Sequence, residues 1–237
     1  MMHSLQGREI ILAGGTGGLG SATAALLSQE GARVILSYRA NHERAERVAG
    51  SAGIVQADLS NEDERTLLLD SATELYGLVI LTGDPSRGSN LAETLPRSFE
   101  ANFAGPILLA REAAERMKAR GIAGSIVILG TMQAGALFPN STAYAAQKAA
   151  LVHGARILAK EMRGPANIRV NVVNPGVTAA GMAQASIASG KYEKYLEQGS
   201  IPRYGNAEDI ARAIRFFLEP DNYVTGQILT VDGGLTL

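Results

Sequence analysis

The chain holds 237 residues, with 22 Lys and Arg against 23 Asp and Glu and a formal net charge of −1, so no charge excess marks it for a nucleic acid or another polyanion. It has no cysteine, which removes disulfides, thiolate catalysis and Cys-ligated metals from consideration. Three scattered histidines, His3, His42 and His153, lack metal-ligand spacing, and no metal is expected.

In chain order, no apolar signal-like core precedes the first strand-like run, and no apolar stretch reaches the ~20 residues a bilayer span needs. A cytoplasmic chain with no membrane partner is expected. Short aliphatic runs predict strands over 9–13, 33–37, 54–56, 78–81, 125–129, 169–173 and 228–231. Amphipathic patterns between them predict helices over 19–29, 43–49, 61–75, 96–120, 142–163 and 207–218. Strands that are apolar throughout and alternate with helices argue for a parallel sheet covered on both faces. The expectation is one doubly wound α/β domain over 1–237, with about seven parallel strands and helices on both faces.

Directly after the first strand comes Ala13-Gly-Gly-Thr-Gly-Gly-Leu-Gly-Ser21, leading into a helix. Glycines let the backbone turn tightly and let a pyrophosphate approach the helix N-terminus, where unpaired N–H groups and the helix dipole meet it. Gly14, Gly18 and Gly20 fit G-x-x-x-G-x-G, whereas Gly15, Gly17 and Gly20 fit G-x-G-x-x-G; the loop alone does not choose. Strand, glycine loop and helix in that order point to a Rossmann-type dinucleotide site. The second strand ends in Ser37-Tyr-Arg-Ala40, with no carboxylate to hold an adenosine ribose. A charge-assisted bond adds roughly 1.5–3 kcal/mol, so Arg39 on a 2′-phosphate would favour NADP(H), with NAD(H) as the alternative. Asp58, after the third strand, either accepts from the adenine amino group or caps the next helix.

Residues 177–200 are rich in Ala, Ser and Gly before Lys191-Tyr-Glu-Lys-Tyr195, and read as a helical lid over the carboxyl ends of the strands. Tyr144 and Lys148 lie four residues apart on a predicted helix and so share a face. An ammonium beside a phenol lowers the phenol's pKa from about 10. That would make Tyr144 a proton donor and acceptor.

In this setting the chain resembles the short-chain dehydrogenase/reductase family, most closely the compact branch that includes 3-oxoacyl-carrier-protein reductases. The resemblance rests on the Gly14-Gly18-Gly20 loop, Asp58, Asn102, the Tyr144/Lys148 pair, Asn174-Pro-Gly176, the stretch 202–210, Val224-Thr-Gly-Gln227 and Val231-Asp-Gly-Gly234. It implies a catalytic set of Asn102, Thr131, Tyr144 and Lys148. Tyr144 would protonate a carbonyl oxygen, Lys148 would bond the nicotinamide ribose, and Asn102 would position a water joining Lys148 to solvent. It further implies cofactor contacts at Gly14, Thr16, Gly18, Leu19, Gly20, Arg39, Asp58, Leu59, Gly83, Tyr144, Lys148, Pro175, Gly176 and Val177. The implied partner is a small-molecule carbonyl or alcohol substrate, and the implied assembly is a homo-oligomer, tetramer or dimer, built through the long helices and the last strand.

Three departures qualify the likeness. Thr131 stands where the family usually has serine; it keeps the hydroxyl and adds a stiffening methyl. The Asn-Asn-Ala-Gly after the fourth strand reads Ile80-Leu-Thr-Gly83, and the threonine expected near the Pro-Gly turn is Ala180. A carbonyl reductase is the leading reading, and an inactive nucleotide-binding sensor on the same fold its rival. By position, Met132, Gln133, Phe138, Met182, Tyr192 and Tyr195 are expected to line the substrate pocket.

Overall fold

A computed structural model describes residues 4–50, 52–88 and 90–237; His3 lies outside the described residues. Seven strands form one sheet in the order β3-β2-β1-β4-β5-β6-β7, and every pairing is parallel. They are β1 (Glu9–Ala13), β2 (Arg33–Tyr38), β3 (Gly53–Gln56), β4 (Leu75–Ile80), β5 (Ser125–Leu129), β6 (Arg169–Pro175) and β7 (Ile228–Val231). The helices are α1 (Gly18–Gln29), α2 (His42–Ala49), α3 (Glu62–Asp70), α4 (Leu91–Phe99), α5 (Gly105–Ala119), α6 (Thr142–Glu161), α7 (Gln184–Ala188), α8 (Glu193–Glu197) and α9 (Ala207–Leu218).

The two-residue period of each strand sorts its side chains between two cores. Ile11 and Ala13 of β1, with Ile126 and Ile128 of β5, join Leu68 of α3, Leu109 and Ala113 of α5, and Leu151 and Leu158 of α6. Ile10 and Leu12, with Val127 and Leu129, face the other way onto Leu27 of α1 and Ile214 and Phe217 of α9. A sheet buried on both faces explains why the central strands are apolar at every position.

Two expected helices need correction. The pattern over 61–75 ends at Asp70, because 75–80 are needed as a strand whose six residues are all buried. The pattern over 96–120 begins at Leu91, where the Asn90 carboxamide accepts from the Ala92 N–H at 3.0 Å. Pro96 therefore sits inside α4, and a π-helical turn, Glu100–Ala104, separates α4 from α5. The strand order reverses between β2 and β4 on either side of β1, which opens a crevice at the carboxyl ends of β1 and β4.

Candidate active site

The glycine loop at the end of β1 is shaped by contacts that leave no room for side chains. Gly14 has φ of 77°, its N–H donates to Ser37 Oγ at 3.0 Å, and a Cβ there would lie 2.9 Å from Thr82. A Cβ on Gly20 would overlap the Gly15 carbonyl oxygen, and one on Gly18 would lie 2.9 Å from the Gly181 nitrogen. By contrast, a Cβ on Gly17 would meet Gly14 O at an ordinary 3.7 Å. Gly15, in the other register, is as crowded, with a Cβ 2.8 Å from Leu36, so only the contrast between Gly18 and Gly17 leans toward the Gly14, Gly18, Gly20 register, a choice the sequence left to family likeness. Ser37, which braces the loop, went unread; a polar residue in an apolar strand beside the loop was its only signal.

Thr131 follows β5, where Asn174 Oδ1 accepts its N–H at 3.0 Å; its Oγ1 accepts the Gln133 N–H at 3.3 Å, and its side chain favours the ionised form of the Tyr144 phenol of α6. Lys148, one turn further along α6, is 2% exposed. Its Nζ donates to Leu129 O at 2.9 Å and to Thr82 O at 3.2 Å. Asn102 sits in the π-helical turn, buried, and closes a local network. Its Oδ1 accepts from the Asp84 N–H at 3.0 Å, and its Nδ2 donates to Asp84 O at 2.9 Å and to Ser86 and Ser98 Oγ, each at 3.1 Å. Gly83 lies between the two: a Cβ on it would be 3.1 Å from Asn102 Oδ1 and 3.6 Å from Lys148 Nζ. The Asn102 side chain therefore anchors the loop after β4, a role that Ser98, four residues earlier on the same helical face, shares.

The electrostatics differ from the sequence expectation. Burial pushes the Tyr144 phenol up to about 12, against the hydrogen bond from Thr131, and Tyr192 adds to the rise. Burial also pulls the Lys148 ammonium down to about 8. The expected phenol depression by Lys148 is absent: Lys148 is not among the groups that act on Tyr144, and dehydration is the leading cause at both, while Lys148 spends its donors on main-chain carbonyls.

A cavity of about 460 Å³ opens over Thr131 and Tyr144, while Lys148, Asn102 and Gly83 lie outside its lining; its size is typical for small-molecule sites. Thr131, Tyr144, Met132, Gln133, Met182 and Tyr192 line it. Phe138 and Tyr195 do not; Tyr195 stacks behind Tyr192 with ring centres 6.4 Å apart. Pro175, Gly176, Val177 and Leu19 also face it. The expected lid contains α7 and α8. Thr178 is buried at its root, with Oγ1 donating to Gly176 O at 3.3 Å.

A family model described as Enoyl-(Acyl carrier protein) reductase matches residues 13–236. An NADPH-dependent aldehyde reductase of Arabidopsis thaliana (chloroplastic) is 32% identical over 261 residues, covering 98% of this chain and 95% of its own. The 7alpha-hydroxysteroid dehydrogenase of Escherichia coli K12 is 32% identical over 243 residues, covering 97% and 94%. Among solved structures, a short-chain type dehydrogenase/reductase from Mycobacterium ulcerans superposes with a TM-score of 0.89 at 28% identity, covering 98% of this chain and 90% of that one. The chain belongs to the short-chain dehydrogenase/reductase family.

As a short-chain dehydrogenase/reductase it is an oxidoreductase, and its family uses NAD(P)(H). The loop after β1 fits such a dinucleotide. Gly17 caps α1 without a side-chain bond, and the first turn carries no acidic residue, leaving the N–H groups around Gly18, Leu19 and Gly20 for a pyrophosphate. Thr16, half-buried, lies on the same turn. After β2, Arg39 is exposed, and its charge reaches Asp58. Asp58 Oδ1 accepts the Ser60 N–H at 3.0 Å and the Ser60 hydroxyl at 2.8 Å. These bonds, the backbone one foremost, hold its carboxyl below the usual range. The cap of α3 is instead Asn61, which accepts from Asp63 and Glu64. Leu59 is buried beside them, and its carbonyl takes an Arg65 Nη1 bond at 2.9 Å. Among the described residues, no three His, Asp or Glu are grouped to hold a metal, and no helix is long and apolar enough to cross a membrane.

Proposed function

We propose that this short-chain dehydrogenase/reductase is an NADPH-dependent carbonyl reductase in which Tyr144 delivers the proton to the carbonyl oxygen. The observation that carries this reading is that Thr131 and Tyr144 line one cavity, with Lys148 buried next to Leu129 O at the end of β5. When bound, the dinucleotide supplies the hydride. Tyr144, held up near 12, keeps its proton at neutral pH until a developing alkoxide draws it off. The Thr131 hydroxyl stays within reach to donate to the same oxygen, its main chain fixed by Asn174. Lys148 carries its charge below about pH 8 and offers a third donor beyond the two spent on carbonyls. Asn102 and Gly83 hold the wall behind it. Gly14, Thr16, Gly18, Leu19 and Gly20 would take the pyrophosphate, Arg39 the 2′-phosphate, Asp58 and Leu59 the adenine end, and Pro175, Gly176 and Val177 the nicotinamide. Exposed Phe99 at the end of α4, Leu108 and Ile157 on the long helices α5 and α6, and Ile228 and Leu229 on the edge strand β7 support assembly into a homo-oligomer.

Positioned acid catalysis contributes ~10²–10⁴ in rate. Tyr144→Phe should therefore lose turnover by about that factor on any aldehyde or ketone the wild type reduces, while its NADPH titration curve stays in place. Undiminished turnover would remove the assignment. Tight NADPH binding by the wild type with no turnover on a broad carbonyl panel would support a sensor instead.

A further inference from the structure

Two charged side chains line the cavity, Arg87 from the loop after β4 and Lys191 from the lid, and no Asp or Glu lines it with them. The rest of the lining is apolar or neutral, including Met132, Met182 and Tyr192. The carboxylate of the Arg87 loop is already committed: Asp84 accepts the Ser86 N–H at 2.6 Å and pairs with Arg97 at 3.4 Å. Arg97 also donates to the Arg87 carbonyl at 3.0 Å, which fixes the main chain from which the Arg87 guanidinium extends. On the lid, Lys191 Nζ sits 5.6 Å from the centre of the Tyr192 ring, and Glu193 does not line the cavity. The Arg87 charge acts on the Tyr192 phenol, so the loop cation reaches the residue that follows Lys191 on the opposite wall. Neither forms an ion pair with a described carboxylate.

Resting on the carbonyl-reductase reading, we infer that the substrate is a small oxo acid, its carboxylate held between Arg87 and Lys191 while its carbonyl meets Tyr144 and Thr131. Two exposed cations on the lining of a pocket with no counter-charge favour an anion there and repel a cationic substrate. The planar guanidinium offers the paired donors that a carboxylate accepts. In the reduction, a C–H bond forms at the carbonyl carbon with hydride from NADPH, the C=O π bond breaks, and the oxygen takes the Tyr144 proton. The carboxylate makes and breaks no bond. An anion bridging Arg87 and Lys191 also ties the lid to the loop after β4, so the substrate closes its own pocket.

The experiment compares acetoacetate, levulinate and succinic semialdehyde, each beside its methyl ester, with wild type, Arg87→Ala, Lys191→Ala and the double variant. For at least one pair the wild-type kcat/KM should favour the acid by about tenfold or more, the scale of a charge-assisted bond. The preference should fall in each single variant and approach one in the double variant, with the Kd for NADPH unchanged. A wild-type ratio of one in every pair would overturn the inference and leave the reductase reading intact. So would a double variant that loses NADPH affinity by the same factor, since the cations would then serve the cofactor's phosphates. If the wild type reduces neither member of any pair, calorimetric titration of each pair into the NADP⁺-bound protein decides. Acid bound tighter than ester, and only with Arg87 and Lys191 present, upholds the anion site and removes the reductase reading; equal binding or none removes both.

Discussion

Lys148 keeps an ammonium where water does not reach, with its charge met by carbonyl dipoles and by no carboxylate among the described residues. Its pKa in the fold, about 8, lies below the 10.5 of the free side chain. Below pH 8 both folded and unfolded chains carry the proton, and the dehydration cost stands in full. Between about 8 and 10.5 the unfolded chain holds the proton more often, so stability rises with pH across that window. Lys148→Met removes the titration, and its melting temperature should rise less with pH over that range than the wild type's. Scanning fluorimetry at stepped pH reads this directly, and parallel curves would show that burial does not shift the group. Arg39 offers the opposite case, an exposed charge with little structural duty. Arg39→Glu should leave the fold's stability unchanged and cut NADPH affinity by about ten- to a hundredfold. Fluorescence titration with NADPH and NADH checks it, and an unaltered ratio between the two would demote Arg39 to a surface residue.

At the scale of elements, what the sequence made legible was what local chemistry decides. The apolar runs at 9–13, 125–129 and 228–231 and the helix at 207–218 have the bounds their patterns suggested, because turn residues and caps flank them closely. The end of α3 was hidden because Leu67, Leu68 and Leu69 followed by Asp70-Ser71-Ala72 sustain a helical pattern into a segment that the sheet claims for β4. The π-helical turn that carries Asn102 has no sequence mark at all, since it follows from where Asn102, Ser98 and Asp84 must meet. Glycine contacts are equally tertiary. An alanine normally helps a helix by about 1 kcal/mol over glycine, yet at Gly20, inside α1, it would run into the Gly15 carbonyl. Gly20→Ala should therefore lower the urea midpoint and abolish NADPH binding, while Gly17→Ala leaves the midpoint within a few tenths of molar. Equal midpoints for the two variants would contradict the close approach.

Across the whole molecule, the last turn of α9 is joined to the sheet by buried polar groups that no periodicity foretold. Ser125 Oγ donates to Phe217 O at 2.8 Å, Tyr76 to Leu218 O at 2.7 Å, and Arg169 reaches both Phe217 O, at 2.9 Å, and the Tyr76 hydroxyl, at 3.1 Å. These donors satisfy carbonyls that a helix end leaves without partners. Tyr76→Phe strips one carbonyl and one Arg169 N–H of a buried partner, and should cost about 1–3 kcal/mol in urea unfolding without changing kcat. A loss under half a kcal/mol would mean that water replaces the phenol. The same division separates what could be read in the site. Tyr144 and Lys148 stood out by their spacing on one helix face, and Thr131 only through the family resemblance. The sign of the Tyr144 and Lys148 pKa shifts was not legible, because it depends on burial, to which α6, β5 and the lid all contribute.

Gly18 leaves no room for a side chain against Ala180 and Gly181, so the glycine loop and the 177–200 segment share a wall one peptide thick. Lengthening the lid near its root, or placing any bulk at position 18, would disturb both halves of the pocket at once. Reshaping this enzyme for a larger substrate should therefore begin around 186–192, where Ser186, Lys191 and Tyr192 line the cavity.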